Sequence, residues 1–103
     1  MHLIKTHSGP WLRFEGDLLG VHETEPNSRQ RYTRYELYQA ESGEFVAVKG
    51  AMSDRDGELD MITYAVCDDI AGCLTFWEST YTLIDWLAGM GFSHITTLGD
   101  SHV

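Results

Sequence analysis

The chain has 103 residues, 43% of them hydrophobic and 12% aromatic, which is enough apolar side chain for one core and too short a chain for two. Sixteen acids against seven bases give a formal net charge of −9, a balance that argues against binding nucleic acid over a broad surface, because phosphates repel it. No stretch approaches the roughly 20 apolar residues that span a bilayer, since the most apolar part, residues 70–92, is interrupted by Glu78 and Asp85.

The opening residues Met1-His2-Leu3-Ile4-Lys5 lead to Ser8-Gly9-Pro10 without the apolar run of a signal peptide, so a cytoplasmic protein with one domain over residues 1–103 is expected. Residues 11–22 mix alternation with two glycines and predict a first strand that bends near Gly16. Residues 23–31 are polar, hold Pro26 and have no period, which marks an exposed connection. Residues 32–39 alternate cleanly, with Thr33, Tyr35 and Leu37 on one face and Tyr32, Arg34, Glu36 and Tyr38 on the other. Ala40-Glu-Ser-Gly43 supplies a turn, its glycine able to take positive φ, and Glu44-Phe-Val-Ala-Val-Lys49 predicts the second strand of a hairpin.

Ser53-Asp-Arg-Asp-Gly57 is a further turn, and Leu59 to Cys67 is rich in β-formers, giving a third partner and a meander. Asp68-Asp69 offers an N-cap, after which Ile70, Cys73, Leu74 and Trp77 fall at helical spacing. Tyr81, Ile84, Leu87 and Ala88 continue it, Ser79 or Thr80 being a second cap, and Gly89-Met90-Gly91 closes the helix. His94-Ile-Thr-Thr-Leu98 predicts a last short strand. The fold class predicted is α+β: an antiparallel sheet of about four strands in a meander, with one bent or two short C-terminal helices packed on one face.

Each chemical motif has a plain counterpart. Cys67 and Cys73 form no CxxC, and the five histidines are scattered, so two semi-buried free thiols and no structural metal are expected. Asp54-Arg-Asp-Gly-Glu-Leu-Asp60 has the oxygen-rich look of a calcium loop, but the EF-hand register puts Met52 in the first place and Thr63 in the twelfth, removing the aspartate and bidentate glutamate that the ion needs. Arg29, Arg31 and Arg34 interleave with Tyr32 and Tyr35, yet Glu23, Glu25 and Glu36 stand near them, which favours an exposed strand face with cross-strand ion pairs over a phosphate-contacting patch. There is no GxSxG, P-loop, GxGxxG or HExxH, so no catalytic residue and no cofactor is predicted. Trp77, Tyr81 and Ile84 read as core, and Trp86 lies off that stripe as a contact anchor beside Asp85.

The run Phe14-Glu-Gly-Asp-Leu-Leu19, the segment from Arg31 through the tyrosine strand and glycine turn to Val46, and Ala65-Val-Cys-Asp68 together resemble small uncharacterised proteins of plasmids, phages and other mobile elements. The same residues are similar to the sheet portion of the EXLDI family, whose terminal motif is missing here. The resemblance implies an accessory protein, by analogy an inhibitor of a host defence system of the anti-CRISPR or anti-restriction type, and it assigns no site residue. The leading expectation is a non-catalytic module that binds a protein with a basic surface through Asp54, Asp56, Glu58 and Asp60, with Trp86 as anchor, and not nucleic acid or membrane. The alternatives are a small-ligand pocket between sheet and helix lined by Tyr35, Tyr64, Trp77 and Tyr81, and a homodimer through an open sheet edge or the Trp86 surface.

Overall fold

The computed structural model describes residues 1–27, 30–54, 57, 59–78 and 81–92. Its elements are β1 His2–Ile4, β2 Leu12–Phe14, β3 Gly16–Glu23, β4 Arg31–Ala40, β5 Phe45–Ser53, β6 Met61–Cys67, α1 Ile70–Trp77 and α2 Tyr81–Gly89. Strands β3-β4-β5-β6 form an antiparallel sheet in that order, the meander that two turn signals predicted, with β3 now placed beside β4, while β1 and β2 pair antiparallel in a separate two-stranded sheet. With both helices packed against one face of the large sheet, the fold is α+β. The predicted strand at residues 94–98 and the helix caps Ser79 and Thr80 lie outside the described residues.

The two-stranded sheet was not legible, because three-residue strands carry too little alternation to stand out. Its junction was. The stretch predicted as one bent strand is two, β2 and β3, broken at Glu15 and redirected at Gly16. Gly16 pairs with Ala40, and a Cβ there would lie 2.2 Å from the Gln39 carbonyl oxygen, so only glycine fits where the chain passes from one sheet to the other. Further along, the register of β3 against β4 shifts between Leu18 and Gly20, a bulge that turns Leu19 toward the helices.

The pairing of Leu37 with Ala47, and of Tyr38 with Val46, assigns the two faces of the sheet. Tyr35, Leu37, Ala47 and Cys67 face the helices, where Leu37, Ala47, Ile70, Cys73, Leu74, Trp77, Leu83 and Leu87 form the larger core. On the opposite face Tyr38, Val46 and Val48 pack with Ile4, flanked by Leu12, Phe14, Ile62 and Tyr64, so β1 and β2 cover part of that side. The alternation predicted for residues 32–38 therefore holds, with Tyr35 and Tyr38 in different cores.

Asp69 caps α1 as its spacing predicted, with extended backbone (φ −147°) and a side chain that accepts a hydrogen bond from the Gly72 N–H at 2.8 Å. Glu78 ends α1 in the left-handed region (φ 58°), its N–H directed at the carbonyls of Leu74 and Thr75. This residue breaks the helical phase. Of the predicted face, Leu87 is buried and Ile84 half-buried, but α2 is rotated so that Leu83 is the other fully buried residue, with Trp86 and Met90 half-buried beside it. Tyr81, expected in the core, is 88% exposed. At the far end Gly91 takes φ 95°, the Phe92 N–H donates to Leu87 O at 2.9 Å and the Gly91 N–H to Ala88 O at 3.0 Å, the paired bonds of a Schellman closure. Among the described residues no helix is long and apolar enough to cross a membrane.

Candidate functional site

In a meander, connections alternate between the two ends of the sheet, so the β3–β4 and β5–β6 connections emerge at the same end. They touch: the Asp54 N–H donates to the Gln30 carbonyl at 2.9 Å. Each connection is also closed on itself. The Asn27 N–H donates to Arg31 O at 2.9 Å and Asn27 Oδ1 accepts from the Arg31 N–H at 3.1 Å, while Thr24 Oγ1 accepts from the Thr33 N–H at 2.8 Å. On the other side Asp60 Oδ1 accepts from the Ser53 N–H at 3.1 Å. Asp60 therefore has a structural task beside its charge, holding the start of the β5–β6 connection as an Asx side chain does.

Tyr32 sits between these connections. Its phenol pKa is raised above the ordinary value, first by partial burial and then by the negative charges of Asp54, Glu23 and Asp60, with Arg34 opposing. Three carboxylates, one at the end of β3 and two from the β5–β6 connection, thus act on one ring. An open cleft of about 560 Å³ runs through the same end, bordered by Glu25, Arg31, Tyr32, Met52, Leu59 and Met61. Of the four acids predicted as a contact surface, Asp54 and Asp60 are here, and Asp56 and Glu58 lie outside the described residues. The participation of Glu23 and Tyr32 was missed, because it follows from the pairing of β3 with β4, which a single sequence does not fix.

The basic-aromatic run divides. Arg34 faces away from the helices, donating from Nε to Glu36 Oε2 at 2.9 Å and standing 3.6 Å from Glu23, its cross-strand partner; Tyr35 is on the helix face, and Arg29 lies outside the described residues. This is the ion-paired strand face. Glu36 also accepts from the Tyr38 hydroxyl at 3.1 Å, and burial together with that carboxylate pushes the Tyr38 phenol up to about 12. Arg34, Glu36 and Tyr38 line a second cleft of about 370 Å³ whose apolar floor includes Val48 and Ile62.

The four residues predicted to line a pocket between sheet and helix do not converge. Tyr35 and Trp77 meet edge to face, ring centres 6.0 Å apart, but Tyr64 belongs to the core on the opposite face and Tyr81 points to solvent. Trp77 fills the space between the layers, 1% exposed, its Nε1–H donating to Val48 O at 3.1 Å. Trp86, expected as an exposed anchor, is half-buried, its ring 5.7 Å from both Trp77 and His22. That contact holds His22 at the β3 edge, while Cys67 ends β6 at the other edge, so these two are not brought together. Among the described residues no three or more His, Cys, Asp or Glu side chains gather in a group that could hold a metal ion. No protein-family model matches the chain, and neither a curated protein nor a solved structure is significantly similar to it.

Proposed function

We propose that the protein is a non-catalytic protein-binding module whose acidic sheet end meets a basic surface on its partner. The observation that carries this reading is the meeting of two acid-bearing connections at one end of the sheet, joined by the Asp54–Gln30 hydrogen bond, with Glu23, Asp54 and Asp60 all acting on Tyr32. Asp54 and Asp60 are tied to the sheet end through the Asp54 N–H and Asp60 Oδ1 hydrogen bonds, which limits the freedom these two lose on binding a cationic partner. The finer version, a mobile-element inhibitor of a host defence system, draws on the resemblance of the tyrosine strand and glycine turn; such systems handle nucleic acid through basic surfaces that an acidic end can occupy.

The test is a variant with Asp54→Lys, Asp56→Lys and Glu58→Lys, leaving Asp60 to hold the Ser53 N–H. Wild type and variant are used as bait in host lysate at low and high salt. The reading requires a partner retained by the wild type at low salt, released as salt rises and absent from the variant; equal retention by both proteins would falsify it.

A second reading, a homodimer, is favoured by the composition of β6. This strand ends the sheet order, runs Met-Ile-Thr-Tyr-Ala-Val-Cys without a charge or proline, and pairs with β5 without a register break. Such an edge lacks a charge, a proline or a bulge against pairing with another copy, and of the β6 carbonyls that of Ile62 accepts a hydrogen bond from His7 Nδ1 at 3.1 Å. Its measure is solution mass against concentration: a monomer mass at every concentration removes it.

A further inference from the structure

The last strand and the first helix bring two sulfurs together. Cys67 ends β6, Cys73 lies in the first turns of α1, and both pack in the larger core; each thiol is near enough to act on the other's titration. Asp69, by capping α1, turns the chain back so that this helix starts against the strand it has just left. Between the two cysteines stands Gly72, where a Cβ would lie 3.2 Å from Cys67 Cβ and 3.6 Å from its Sγ, so the helix backbone rests directly on Cys67 with no side chain between. The pair is asymmetric in access. Cys67 is half-buried, while Cys73 is fully buried in the larger core.

We propose that Cys67 and Cys73 are a dithiol–disulfide pair that closes by exchange with a low-molecular-weight disulfide, stapling β6 to α1. Cys67, the accessible thiol, attacks as its thiolate one sulfur of the small disulfide, forming a mixed disulfide and expelling one small thiol. Cys73 then attacks Cys67 Sγ, forming the intrachain bond and expelling the second. The two protons lost by the cysteines end on the two small thiols; the protein pair is oxidised by two electrons and the small disulfide reduced by the same two.

The environment sets the rate. Burial raises both thiols above their ordinary pKa, Cys73 to about 12, with Cys67 itself adding to the shift at Cys73. Thiolate is therefore scarce at neutral pH, and exchange speeds up as pH rises. The site stands at the opposite end of β6 from Asp60, roughly 20 Å along the strand at about 3.3 Å per residue, so it does not depend on the acidic end.

The whole chain is incubated with oxidised glutathione at several pH values, then quenched with acid and examined by mass spectrometry and thermal denaturation. We expect the two free thiols to disappear with loss of two hydrogens and no retained glutathione, at a rate rising roughly tenfold per pH unit, and with Tm higher by roughly 10 °C for so short a loop. Cys73→Ala is expected to stop at a glutathione adduct on Cys67, and Cys67→Ala to remain unmodified. A persistent adduct on wild-type Cys67, or two unreacted thiols in the folded protein while the denatured protein reacts, overturns the pair; closure with no rise in Tm overturns the staple. The wild-type readouts stand even if Cys73→Ala fails to fold.

Discussion

At Tyr38 a single phenol couples two features of the sheet, the packing on its outer face and the ion pairs at its surface. The ring is 8% exposed, with Phe14 edge-on at 5.3 Å, and the hydroxyl donates to Glu36, which Arg34 also holds. Because its pKa rises from 10.0 to about 12 on folding, the folded state binds this proton more tightly. The contribution is fully present below pH 10 and is lost as pH climbs from about 10 to about 12, on the order of 2 kcal/mol. Tyr38→Phe is therefore expected to cost about 1–2 kcal/mol at neutral pH, through the lost charge-assisted bond, and to flatten the alkaline fall in stability. Denaturant titrations at pH 7 and pH 11 check both. The clean alternation of residues 32–38 made the placement of Tyr38 legible; its pairing with Glu36 was not, since a charge two residues away on the same face has many possible partners until neighbouring strands are fixed.

Elements are delimited here by backbone conformation at a few residues. Gly16 lies where β2 hands over to β3, and Gly16→Ala puts a Cβ against the Gln39 carbonyl with nothing flexible to yield. A loss of roughly 2 kcal/mol or more is expected, seen as a lower urea midpoint; an unchanged midpoint means the two sheets are not joined as tightly as described. Glu78 makes the converse case. Its left-handed φ of 58° costs a non-glycine residue about 1 kcal/mol, so Glu78→Gly is expected to raise stability by up to about 1 kcal/mol, again read from the midpoint. Tyr81 is misplaced for another reason: the spacing puts Tyr81, Ile84, Leu87 and Ala88 on one face of a second helix, whereas packing turns Leu83 and Leu87 fully inward, leaves Ile84 half-buried and exposes Tyr81 at the first position. Asp69 and Gly91 were legible because capping chemistry is local.

For the whole molecule the dominant long-range term is self-repulsion among acids, with a net charge of −9 that ion pairs such as Arg34 with Glu23 and Glu36, and the N-terminus with Glu15, leave in place. Raising salt from about 0.02 M to about 0.3 M is expected to raise Tm by a few degrees through screening; a fall in Tm would mean that the ion pairs outweigh the repulsion. Alternation, turn chemistry and capping among a few neighbouring residues were enough to read the hairpin at Gly43, the meander, the α+β class, the cap at Asp69 and the polar connections from the chain. Which residues share a surface was not readable in this way. The separation of Tyr64 from Tyr35, the packing of Trp86 against His22, the joint influence of Glu23, Asp54 and Asp60 on Tyr32, and the seating of Gly72 on Cys67 all follow from strand register and helix packing, which are fixed by contacts among residues distant in the chain or across a reversal of its direction.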